Sequence, residues 1–95
     1  MTHAIRFHQT GGPEVLKWEE VQVGDPGPKE VRLAHSAVGL NFIDVYHRNG
    51  LYPTAGLPSP IGMEAAGVVD AVGSEVTDLH VGDRVAYASP PLGAY

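Results

Sequence analysis

The sequence predicts a mainly β protein, a small barrel or sandwich carrying one short helix. Three observations point there. Twelve glycines and eight prolines are spread over 95 residues and fall between short apolar runs, as in strands joined by tight turns. Several of those runs alternate apolar and polar residues with period two, the side-chain period of a strand. One stretch, NFIDVYHRNG at 41–50, changes instead to helical spacing.

Taken in order, AIRFH at 4–8 alternates, with Ile5 and Phe7 on one face, and QTGGPE is a turn whose Gly pair permits positive φ. VLKWEEVQV at 15–23 alternates again, setting Leu16 and Trp18 against Lys17 and Glu19. A second turn, GDPGPKE, leads into VRLAHSAVGL at 31–40, a strand with Val31, Leu33 and Ala37 on one side. In the helical stretch Phe42, Val45 and Tyr46 stand at i, i+3 and i+4. Asn41 suits the N-cap, Asp44 three residues on suits the acid of a capping box, and Asn49-Gly50 closes the C-terminal end. LYPTAGLPSP at 51–60 holds three prolines and is expected to be irregular. AAGVVDAVG at 65–73 is a strand, SEVTDLHVGD a turn-rich link and RVAYA at 84–88 a last strand. No repeat or linker divides residues 1–95, which read as one domain.

Composition excludes several classes of function. The net charge is −5 and the six Lys and Arg are scattered, which argues against a nucleic-acid surface. No apolar run approaches the ~20 residues needed to span a bilayer. MTHAIRFHQT lacks a basic segment followed by an apolar one, so no signal peptide is expected and the cytoplasm is the expected compartment. With no cysteine there is no disulfide, thiolate nucleophile or cysteine zinc site.

The remaining chemistry is narrow. The glycines at 62, 67 and 73 do not make G-x-G-x-x-G, so no dinucleotide fingerprint is present. His3, His8, His35, His47 and His80 show no ligand spacing, and G-x-S-x-G is missing. Polar groups inside apolar segments are what is left: Asn41, Tyr46, Tyr52 and Glu64. Each has a plain structural reading, as cap or core. Each also has a functional one, since a tyrosine hydroxyl in a cleft can donate a hydrogen bond to a carbonyl oxygen. Glu64 raises its own question, because it follows Met63 at the head of an otherwise apolar strand.

GLNFIDVYHRNGLYP, then GMEAAGVVDAVGSEV, then VGDRVAY and GAY, together with the opening FHQTGGPEVL, resemble the ζ-crystallin-like NADPH:quinone oxidoreductases of the medium-chain dehydrogenase/reductase superfamily. The resemblance covers essentially the whole chain. It implies a GroES-like, partly open β-barrel with one short helix, incomplete because the chain ends early, at Tyr95 within GAY. On this view the chain is the N-terminal part of a catalytic domain, and the Rossmann domain that grips the cofactor is absent. Zinc-dependent members carry His in place of Met63 and Cys in place of Asn41; thioether and amide are poor zinc ligands, so no zinc is expected. The resemblance lays Asn41, Phe42, Ile43, Asp44, Val45 and Tyr46 along the nicotinamide side of NADPH. It turns Tyr46 and Tyr52 toward a quinone, with Tyr52 the donor to the developing oxyanion. Glu64 is left with a structural role. The intact enzyme is expected to be a homodimer, without nucleic-acid or membrane partners, and an exposed strand edge favours self-association of the shorter chain. Two alternatives stand beside this: a zinc-free enoyl reductase of the same superfamily, and a stand-alone GroES-like module that binds a partner without chemistry.

On these expectations the cofactor site of residues 1–95 is incomplete. Titration of the chain with NADPH, followed by fluorescence, is expected to show no saturable binding at micromolar concentration.

Overall fold

In the computed structural model, which describes Thr2–Tyr95, the chain builds two small antiparallel sheets and one α-helix among the described residues. The order is β1 (Thr2–Phe7), a 3-10 turn (Pro13–Val15), β2 (Leu16–Val21), β3 (Val31–Gly39), α1 (Phe42–Asn49), β4 (Ser59–Pro60), β5 (Glu64–Val72) and β6 (Arg84–Ala88). The first sheet runs β2-β1-β4 and the second β3-β5-β6. Ile5 faces Trp18 across β1 and β2, and Phe7 lies between Leu16 on one side and Ser59 on the other.

The mainly β class with a single helix is as the sequence predicts, but the described strands do not join into one barrel. The chain crosses between sheets at residues 61–63, where Gly62 has φ +102°. No described strand pairs into both sheets, and β4, the last strand before the crossing, has only two residues.

Some expectations of facing hold and others fail, for local reasons. Trp18 shares a face with Leu16 as expected, opposite Ile5, yet it is 67% exposed and stacks flat on His3, centroids 5.2 Å apart. Ala37 does not share a face with Val31 and Leu33, because Ser36 is an extra residue in β3 opposite β5 and breaks the alternation. Phe42, first residue of the expected helical stripe, is 72% exposed, and the buried residue of α1 is Asp44. The expected turn before residue 15 contains the 3-10 turn instead, and the irregular run after residue 50 ends in β4.

The core is small. Phe7, Val15 and Ile61 are buried together, with Ile5, Leu16 and Tyr95 packed against them. In β5, Ala65 and Val69 are buried while Glu64, Val68 and Asp70 point to solvent, the period-two pattern of a half-covered sheet. Residues 93–95 fasten the junction between the sheets. The N–H groups of Gly93 and Ala94 donate to the Gly62 carbonyl at 2.9 and 3.2 Å. Tyr95 donates its N–H to Ile61 O at 3.4 Å and accepts from Ile5 N–H at 2.9 Å.

Gly62 is required twice over. Its positive φ is one that side chains rarely adopt, and a Cβ there would stand 2.8 Å from Cε1 of Tyr95. Gly62→Ala is therefore expected to lower stability by about 1–3 kcal/mol. Gly56→Ala, with nothing within 4 Å of the added carbon, should be neutral or slightly stabilising. Urea denaturation of the two variants measures the contrast.

Candidate active site around the first helix

The helix α1 starts and stops where short-range chemistry dictates. Asn41 has extended backbone (φ −124°, ψ 154°) and occupies the N-cap. Its N–H donates to Oδ2 of Asp44 at 3.1 Å, the reach-back bond of a capping box. Gly50 ends the helix in the left-handed region at φ +88°. The last turn is tied to the loop before β2: Arg48 Nε donates to Gly11 O at 3.1 Å and Gly11 N–H to Arg48 O at 3.0 Å.

The first turn is also held from the side. Asn41 Nδ2 donates to Oε2 of Glu64 at 2.8 Å, which links the N-cap to the head of β5. The Glu64 carboxylate lies over Gly39, where an added Cβ would fall 2.1 Å from Oε2. The isolated acid at the start of an apolar strand thus fixes the side chain that begins the helix.

Asp44 faces the other way. It is 3% exposed, and Oδ2 accepts, besides the Asn41 N–H, a hydrogen bond from the Tyr95 hydroxyl. Oδ1 is buried with no partner among the described residues. Burial pushes the Tyr95 phenol well above its ordinary pKa, and the neighbouring Asp44 carboxylate pushes it further. Tyr95 therefore remains a protonated donor at neutral pH.

The other expected site residues separate into two groups. Phe42, Tyr46 and Tyr52 form a row of edge-to-face rings, with centroids 5.4 Å apart for the first pair and 5.2 Å for the second. Tyr52 N–H donates to Tyr46 O at 3.1 Å, which sets the step from helix to loop. Tyr52 is 48% exposed. Ile43 and Val45 are half-buried and contribute no polar group. The structure therefore brings Asn41 and the aromatic row to one end and edge of α1, while the Asp44 carboxylate turns inward. Tyr95 was invisible to sequence reasoning as a partner of Asp44; the GAY motif marked its place but not its contact.

A second open surface offers less chemistry. A shallow groove of about 510 Å³ runs over β3, β5 and β6, lined by small residues such as Ala37, Gly39, Ala66 and Ala86. Its polar side chains are Glu64, already engaged by Asn41, and Tyr87. Among the described residues no group of three or more His, Asp or Glu is placed to hold a metal ion. No described helix is long and apolar enough to cross a membrane.

Comparison with known proteins follows the same lines. The alcohol dehydrogenase GroES-like domain family matches residues 27–93. A quinone oxidoreductase of Pseudomonas aeruginosa is 61% identical over 95 residues, all of this chain and 29% of that protein. A 2-haloacrylate reductase of a Burkholderia species is 52% identical over 98 residues, covering all of this chain and 29% of its own length. The crystal structure of Escherichia coli quinone oxidoreductase complexed with NADPH superposes with a TM-score of 0.96 at 50% identity, over 98% of this chain and 28% of that one. The chain spans about 29% of the length of the curated relatives it matches.

The Tyr95 phenol makes stability depend on alkaline pH. Unfolded, it ionises near its ordinary 10.0; folded, it holds its proton to higher pH. Above about pH 10 the folded state therefore binds more protons than the unfolded one, and stability falls as pH rises; below that value the contribution is fully present. Tyr95→Phe is expected to remove part of this slope in urea midpoints measured from about pH 9 upward. The remainder should track Tyr87, which burial also raises.

Proposed function

The chain belongs to the alcohol dehydrogenase GroES-like domain family, and on that premise we propose that it is the N-terminal part of the catalytic domain of a zinc-independent NADPH:quinone oxidoreductase. One observation carries the reading: matches that span this chain at 61% and 50% identity are quinone oxidoreductases, one of them solved with NADPH.

The residues present suit a nicotinamide better than a metal. Leu40 and Phe42 are exposed apolar surface beside the N-cap, a fit for one face of a flat aromatic ring. Positions 41–46 would lie along that ring, with the Asn41 side chain held in place by Glu64. Position 41 presents an amide and position 63 a thioether, both weak donors to zinc. NADPH, when bound, supplies the reducing equivalents.

A quinone is already a good hydride acceptor and becomes aromatic on reduction, so the protein need not supply a Lewis acid. What the protein must do is orient the ring and meet the developing negative charge on oxygen with a donor. Tyr46 would wall the quinone site, and Tyr52, at the end of the aromatic row away from Phe42, would donate its hydroxyl proton to the hydrogen bond. This reading is of a cytoplasmic enzyme, homodimeric when intact.

A second reading has its own support. The 2-haloacrylate reductase, at 52% identity, favours hydride delivery to a conjugated double bond, the enoyl-reductase alternative. Steady-state NADPH oxidation by the longer protein, with a benzoquinone and with a conjugated acrylate as competing acceptors, decides between them. The quinone is expected to give the larger kcat/KM, and a chelator should leave the rate unchanged. Tyr52→Phe is expected to lower quinone kcat/KM by about tenfold or more. Preference for the acrylate would establish the second reading. No NADPH oxidation with either would return the chain to a binding module.

A further inference from the structure

We propose that Tyr95 is a positioning residue for the nicotinamide end of the site: its hydroxyl, acting through Asp44, fixes the first turn of α1 and so the placement of Asn41 and Phe42. The inference rests on the oxidoreductase reading and adds to it a residue 51 positions from Asp44 in sequence. It also changes the part played by Asp44, from a group along the cofactor to the link behind it.

A carboxylate taken out of water needs hydrogen bonds in place of hydration. Asp44, the buried residue of α1, has two donors among the described residues, and both meet Oδ2. One is the N–H of Asn41, part of the turn it caps. The other comes from outside the helix and is delivered by a rigid carrier. Tyr95 has its backbone bonded on one side to Ile5 and on the other to Ile61, while its ring packs against Gly62. Four residues then form one chain of hydrogen bonds, Glu64 to Asn41 to Asp44 to Tyr95. It starts on the second sheet, passes through the N-cap and ends beside the first.

Loss of the Tyr95 hydroxyl leaves Asp44 held by Asn41 alone, so the carboxylate turns to seek solvent and takes the Asn41 N–H with it. The ring partners of the aromatic row are Phe42, Tyr46, Tyr52 and His47, and Tyr95 is not among them. The effect therefore falls on cofactor affinity before it reaches the acceptor side.

The test uses the longer oxidoreductase with Tyr95→Phe, Asp44→Asn and the double substitution. Four quantities are measured: the NADPH dissociation constant by fluorescence titration, kcat with a saturating quinone, hydrogen exchange of peptides spanning residues 40–50, and the melting temperature. Tyr95→Phe should weaken NADPH binding by about three- to tenfold, the effect of one hydrogen bond, with kcat changed less than about twofold. Exchange over 40–50 should accelerate, and the double variant should be no weaker than the worse single one, because both remove the same interaction. Unchanged NADPH affinity in a Tyr95→Phe enzyme with a lowered melting temperature would overturn the proposal and leave a purely structural contact. A fall in kcat at constant affinity would overturn it as well. Should Asp44→Asn fail to fold, Tyr95→Phe keeps the ring on Gly62 and decides alone. A wild type that oxidises no NADPH would instead overturn the oxidoreductase reading itself, whereas an active wild type with insensitive variants sinks only the role of Tyr95.

Discussion

A carboxylate buried in a domain with so little core is the constraint around which the rest is arranged. Asp44 sits inside α1 at 3% exposure, where an unpartnered charge would cost more than the few buried apolar side chains return. Its hydrogen bonds must therefore form together with the fold. They recruit the N-cap backbone on one side and Tyr95 on the other. Through that one oxygen atom the start of α1 is tied to Tyr95, which is itself bonded to the crossing beside Gly62.

The same economy appears in how the two sheets are connected. Phe7, Val15 and Ile61 make the one packed cluster of buried apolar residues among the described residues, a small base on which to specify an orientation by packing alone. Directional bonds supply the specificity. Gly93, Ala94 and Tyr95 are bonded to residues 61–62, Ile5 to Tyr95, and His35 Nδ1 to Ala94 O at 3.0 Å. Residues 93–95 thus belong to the neighbourhood of both sheets without being a strand of either. A small domain with a limited apolar interior relies on such stitching more than a large one does.

What was legible in the sequence was what local chemistry decides. Asn41, Asp44 and Gly50 announced a helix with its start and stop because capping is settled within a few residues. The short apolar runs at 65–73 and 84–88, bounded by turn residues, announced β5 and β6 in the same local way. Ala37 was misplaced because a bulge at Ser36 shifts the facing, and the exposure of Trp18 on its expected face depends on what covers the sheet; neither is encoded by period alone. The expected site was half visible. Asn41 and Tyr46 lie on the first helix and its cap and Tyr52 just beyond it, a grouping that only the family resemblance of these motifs suggested. The inward turn of Asp44 was not visible, since its partner is remote in sequence. Nor was the hold of Glu64 on Asn41, which spans 23 positions and joins a loop to a strand.

That last bond bears on how readily a metal-binding pair could be introduced at positions 41 and 63. Position 41 combines two duties, capping α1 through its backbone and holding Glu64 through its amide nitrogen. A thiol placed there would keep the backbone bond to Asp44 but lose the nitrogen donor to Glu64, and Glu64 itself is confined over Gly39. Restoring a histidine at position 63 would do nothing for this loss. The step at position 41 toward a metal-binding pair therefore passes through a sequence with a loosened helix start and nothing yet bound to compensate. The amide–carboxylate bond acts as a ratchet, one that biases which descendants of this sequence are reachable.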